Sequence, residues 1–218
     1  MYLPGFEGHR PETIQNYPTI SRLSTALLEI LNFFQLKRCF GMGIGMGATI
    51  LLHATSTERL AFRGLILMGC SASSATWSEW VTSNYVLTSL RLFGLTESTK
   101  HALAQYFFHP STMEGNGDLC RTLSSSFNGL EPHTLRGALH TWLHRPAFKS
   151  SLSHVKNTRV LMICGRSSPL YAQSLEAFAA LPSGTAEWLP LSKSGTLASV
   201  ENPQTVFSAI TLFVKGFG

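Results

Sequence analysis

Acidic residues are scarce in this chain. Asp118 is the only aspartate among 218 residues, and aspartate and glutamate together number 12. A carboxylate metal site or an acidic triad member therefore has few residues to draw on. Histidine also stops early, with none after His154. No apolar run approaches the ~20 residues of a membrane span, so no integral membrane segment is expected. The first ten residues lack a basic stretch followed by an apolar one, so no signal peptide is expected. Cys39, Cys70, Cys120 and Cys164 have no metal-ligand spacing. Three of them lie in or at the end of apolar runs and read as buried, reduced thiols, which suits a cytoplasmic location. Charged residues make up 13% and hydrophobic ones 44%, a globular balance. The net charge of +5 is scattered apart from small groups such as Lys37-Arg38, so no nucleic-acid partner is expected. There is no internal repeat, and the length suits one domain over 1–218 with room for an insertion.

Glycine is plentiful, and it clusters. Lys37 to Met42 reads as a short buried strand and Ala48 to Ala54 as the start of an apolar helix. Glycine recurs between them at 41, 43, 45 and 47. A strand that turns sharply into a helix needs positive φ and close backbone approach, which glycine permits. The layout is that of the nucleophile elbow of α/β hydrolases, Gly-x-Ser-x-Gly. In the register Gly41-Met42-Gly43-Ile44-Gly45, glycine stands where the serine would be. Gly43-x-Gly45-x-x-Ala48 also fits a dinucleotide fingerprint, but the next strand ends Leu67-Met68-Gly69-Cys70-Ser71 without the carboxylate that would hold a ribose. No cofactor is expected. A third option is that the glycines serve only tight helix–sheet packing.

The rest of the chain completes an α/β pattern. Thr19 or Ser21 can cap a helix to about Phe34, whose Leu23, Leu27, Leu28, Ile30, Leu31 and Phe34 form one apolar face. Buried parallel strands are expected near 64–69, 159–164 and 186–191, with Pro190 marking an edge or a strand end. Residues 81–150 read as a helical cap insertion. Gly115 to Asp118 and Ser124 to Ser126 read as loop or helix-end punctuation within it. Trp77 and Trp80, just before it, share a helical face and read as its anchor. His53, among apolar neighbours, reads as structural. His140 and His144 could share a helical face, but Thr141-Trp142-Leu143 lacks the Glu of His-Glu-x-x-His and no carboxylate or thiol lies near, so no metal site is expected. Val206, Phe207, Ile210, Phe213 and Val214 make a sheet-facing stripe on the closing helix.

Several of these stretches resemble the N-myc downstream-regulated (NDRG) family: the Gly-Met-Gly-x-Gly-x-Gly-Ala run at the elbow, the strand leading to Trp77-Ser78-Glu79-Trp80, the Gly165-Arg166-Ser167-Ser168-Pro169 loop and the ending Phe213-Val214-Lys215-Gly216-Phe217-Gly218. The family's loop carries an aspartate where Arg166 stands. Leu3 to Gly8 resembles the loop after the fourth strand of α/β hydrolases, so the resemblance implies a truncated α/β-hydrolase fold: a parallel sheet of about four strands, flanked by helices, lacking the first strands. It places the three triad positions at Gly43, Ser168 and Thr196, and replacement at all three argues against triad chemistry. The implied function is non-catalytic, acting through protein partners in cytoplasmic signal transduction, stress response, differentiation or trafficking. The alternative is a divergent serine hydrolase or esterase with a displaced nucleophile, Ser71 or Ser168. The elbow strand would be an open edge, so poor solubility or self-association is expected.

Overall fold

Two continuous apolar runs make the middle of the sheet. In the computed structural model, which describes residues 17–36, 38–57, 62–127 and 130–217, they form strands β2 (Phe62–Met68) and β3 (Arg159–Gly165). Their side chains alternate between two cores. Leu65, Leu67, Val160 and Met162 face one, and Ile66, Met68, Leu161 and Ile163 face the other. A parallel strand covered on both sides needs an apolar residue at every position, which is why the runs are unbroken. Each such side chain contributes about 1.5–3 kcal/mol on burial. Strand β1 (Cys39–Ile44) pairs with β2, and β4 (Ala186–Leu191) pairs with β3, giving a four-stranded parallel sheet in the order β1-β2-β3-β4. Pro190 sits on β4, which has only β3 as a neighbour among the described residues.

Helices cover both faces. On the first lie α1 (Ile20–Phe33), α2 (Met46–Thr57), a 3-10 turn (Lys149–His154) and α8 (Tyr171–Ala180). On the second lie α9 (Ala198–Glu201) and α10 (Pro203–Lys215). Thr19, not Ser21, caps α1, its hydroxyl accepting from the Arg22 N–H at 3.3 Å. The buried line of α1 is Ile20, Leu23, Leu28 and Leu31. Ile30 and Phe34, expected on that face, are exposed; Ile30 falls off the line, and Phe34 lies past the helix as its C-cap. On α10 likewise, Val206 and Phe213 are buried, whereas Phe207 and Val214 are exposed.

Between β2 and β3 the chain makes α3 (Trp77–Phe93), α4 (Glu97–Phe107), α5 (Pro110–Gly115), α6 (Gly117–Phe127) and α7 (Pro132–Leu143). They carry an apolar cluster of their own, Val86, Leu90, Leu103, Phe127 and Leu135. The first of these helices begins at Trp77, and Ser124 to Ser126 fall in the last turn of α6, at a helix end and not in a loop. Trp77 and Trp80 do share a face, with rings stacked at 5.3 Å, but that face points outward: Trp77 is 75% exposed. The anchor is Glu79 between them. Its carboxylate accepts from Arg145 at 2.8 Å and from the Gln173 amide at 2.6 Å, joining α3, the end of α7 and α8. The Arg145 side chain is only 1% exposed and also donates to the carbonyls of Ser73 and Trp142. Leu3 to Gly8 and Lys37 lie outside the described residues.

Candidate functional site

The turn from β1 into α2 is made by Gly45. Its φ is +56°, its N–H donates to the Met68 carbonyl at 2.8 Å, and its own carbonyl accepts from the Thr49 N–H at 3.1 Å. Gly43, expected at that turn, lies inside β1 opposite Leu67. The strand therefore ends two residues later than expected, and the elbow register is Gly43-Ile44-Gly45-Met46-Gly47. Local space agrees with this. A Cβ at Gly43 would stand 2.6 Å from the Ala48 nitrogen and 2.7 Å from the Gly47 carbonyl carbon, whereas a Cβ at Gly45 meets nothing within 4 Å. In either register a glycine occupies the turn, so the elbow offers no side-chain nucleophile.

Ser168 and Thr196 are brought together. Ser168 follows β3, Thr196 follows β4, and their hydroxyl oxygens lie 2.9 Å apart in a buried position. The Thr196 hydroxyl donates its one proton to the Tyr106 carbonyl at 2.9 Å, so Ser168 is the donor to Thr196. Ser168 in turn accepts from the Leu170 N–H at 3.1 Å. The result is a directed chain from Leu170 N–H through two hydroxyls to a backbone carbonyl, with no group in it that titrates near neutrality. Gly45 and Thr196 border one cavity, whose opposite wall is built by α3, α4, α6 and α7. The elbow glycine, Thr196 and Ser168 thus form one locus, while Gly43 stands behind it in the sheet.

The Thr196 loop is held by contacts that sequence reasoning missed. The Leu197 N–H donates to the Phe107 carbonyl at 3.0 Å, satisfying an end carbonyl of α4. Glu201 accepts from the Gly195 N–H at 2.6 Å, the His109 N–H at 2.8 Å and the Thr112 hydroxyl at 2.6 Å. A Cβ at Gly195 would lie 2.4 Å from the Phe107 carbonyl oxygen, so only glycine permits this approach. Nothing local in the sequence marks Glu201. Glu79 does carry a signal: Thr76-x-x-Glu79 is a capping box, and both of its reciprocal bonds form.

Among the described residues, the candidate displaced nucleophiles have no imidazole as a hydrogen-bond partner. Ser71 is fully buried; its hydroxyl donates to the Ser73 carbonyl at 3.0 Å and accepts from the Ser73 N–H. The bonds of Ser168 go to Thr196 and Leu170. His53 packs edge-on against Phe148, and burial lowers its pKa. The rings of His140 and His144 stack at 4.0 Å; burial, and then His144, lower the pKa of His140. Burial pushes the Cys70 thiol up to about 12 and also raises Cys164, so both are inert as nucleophiles near neutrality. The Tyr106 phenol, on the cavity wall, is likewise raised by burial and by the nearby Glu79 carboxylate. Among the described residues, no group of three or more His, Cys, Asp or Glu could hold a metal ion, and no helix is long and apolar enough to cross a membrane.

A parallel sheet with a strand–turn–helix elbow, loop positions after β3 and β4 that meet beside it, and helices inserted over the elbow define the α/β-hydrolase fold. Solved structures agree: MenH from S. aureus matches with a TM-score of 0.83 at 17% identity, covering 99% of this chain and 82% of that one. An esterase from Thermogutta terrifontis matches with a TM-score of 0.80 at 18% identity, covering 98% of this chain and 78% of that one. At such identities the likeness concerns the fold. The chain belongs to the Ndr family, whose model matches residues 1–218. An NDRG-like protein of Dictyostelium discoideum is 24% identical over 99% of this chain and 66% of its own length. Protein NDL1 of Arabidopsis thaliana is 27% identical over 92% of this chain and 59% of its own length. The chain therefore spans less than two thirds of these relatives.

Proposed function

We propose that this chain is a non-catalytic α/β-hydrolase-fold protein of the NDRG type that acts through protein partners. The observation that carries the proposal is the hydroxyl chain at the site. A triad passes a proton from a nucleophile to an imidazole oriented by an acid. Here the turn residue is Gly45, and Ser168 and Thr196 bond to each other and end on the Tyr106 carbonyl. No member can take up a proton near neutral pH. The proposed setting, cytoplasmic signal transduction, stress response, differentiation or trafficking, rests on family membership.

The test is fluorophosphonate labelling of the folded chain, read by intact mass. No adduct is expected. A stoichiometric adduct on any serine overturns the proposal and establishes the alternative, a serine hydrolase with a displaced nucleophile.

A further inference from the structure

The cavity between the elbow and the inserted helices has a volume of about 300 Å³. Its walls are mostly apolar, with Val86, Leu103, Phe127, Leu139 and Trp142 prominent, and among the described residues no charged side chain lines it. Its hydroxyl groups are few: Thr82, Ser83, Tyr106 and Thr196. Thr196 has spent its proton on a backbone carbonyl. Tyr106 also lines the cavity, and its phenol has one O–H to donate.

These features select a ligand class. An ion passing between these apolar walls would lose part of its water shell and find no counter-charge among the lining residues. An uncharged apolar molecule would gain in proportion to the apolar surface it removes from water. Size follows from the volume: a dry cavity of about 150 Å³ holds benzene, so twice that space suits roughly eleven non-hydrogen atoms. We propose that this cavity binds an uncharged, mainly aliphatic molecule of that size carrying one carbonyl oxygen, and that the oxygen accepts from the Tyr106 hydroxyl. The site is a binding pocket without turnover, which goes beyond partner binding. It depends on the walls of the cavity and not on the absence of a nucleophile.

The experiment is calorimetric titration of the full chain with 2-decanone and, separately, with decanoate. One saturable site for 2-decanone is expected, with decanoate at least tenfold weaker. Ala138→Trp, which fills the cavity from α7, abolishes binding; if that variant fails to fold, Leu103→Phe gives the same test with a smaller intrusion. Tyr106→Phe weakens 2-decanone by about fivefold, one neutral hydrogen bond's worth, and leaves n-undecane binding unchanged. Trp77→Ala, on the exposed face of α3, leaves binding intact. Absence of saturation, equal affinity for decanoate, or undiminished binding in the filled variants overturns the inference. Hydrolysis of methyl nonanoate by a chain that still binds 2-decanone leaves the ligand class standing and instead overturns the non-catalytic proposal.

Discussion

Gly43 and Gly45 are neighbours in one motif, yet a side chain meets different obstacles at each. At Gly45 the space is open and the obstacle is the backbone, since φ of +56° costs a non-glycine residue about 1–2 kcal/mol. At Gly43 the obstacle is the first turn of α2, which a Cβ would meet at 2.6–2.8 Å. Those contacts are to backbone atoms, so no rotamer relieves them, and the expected cost is about 3 kcal/mol or more. Gly45→Ala should therefore lower the urea midpoint modestly, whereas Gly43→Ala should lower it far more or prevent folding. Equal effects, or the reverse order, would show that the elbow turns at Gly43 after all. The alternating glycines explain why sequence alone places the elbow at Gly43. Glycine at 41, 43, 45 and 47 fits the elbow pattern in two registers, and only the end of β1 separates them. That end is set by pairing with β2, through Gly43 opposite Leu67 and Ile44 opposite Met68.

At the scale of an element, α3 shows what periodicity reveals and what it hides. Spacing three apart puts Trp77 and Trp80 on one face, and they stack there. Spacing does not say which way the face points, and hydrophobicity argues for the wrong answer. The residue that turns inward is Glu79, its side chain 9% exposed, and its partner Arg145 lies 66 positions away in sequence, a pairing that no local pattern reveals. The strands were legible because a buried parallel strand writes itself as a continuous apolar run; Ile30, Phe34, Phe207 and Val214 were misplaced because a helix admits two or three neighbouring faces. Energetically, Glu79 and Arg145 should dominate the joint between the inserted helices and the sheet. Glu79→Ala leaves the guanidinium buried without its carboxylate and should cost about 3–5 kcal/mol, read by chemical denaturation. Trp77→Ala, on an exposed surface, should change stability by no more than about 0.5 kcal/mol. A Trp77 variant as damaging as the Glu79 variant would restore the indoles as the anchor.

For the molecule as a whole, association is expected on the side of β1 away from β2. Among the described residues β1 has one strand neighbour, β2, and along it Phe40 and Met42 are exposed. The end of α1 adds Phe33, which is 81% exposed, with Phe34 and Leu36 beside it. An apolar edge strand is a template for another strand, and a second copy presents the same edge. Two such edges can pair antiparallel about a twofold axis, which closes the assembly and buries both apolar patches. Parallel pairing would not close in this way. The expected outcome is concentration-dependent sedimentation, with dimer growing at the expense of monomer. Met42→Lys places a charge on the edge and should shift the equilibrium to monomer without loss of the cooperative melt. A parent chain that sediments as a monomer at every concentration would refute self-association through β1. A dimer that persists unchanged in Met42→Lys would move the interface to another surface, with the outward face of α3 as the next candidate.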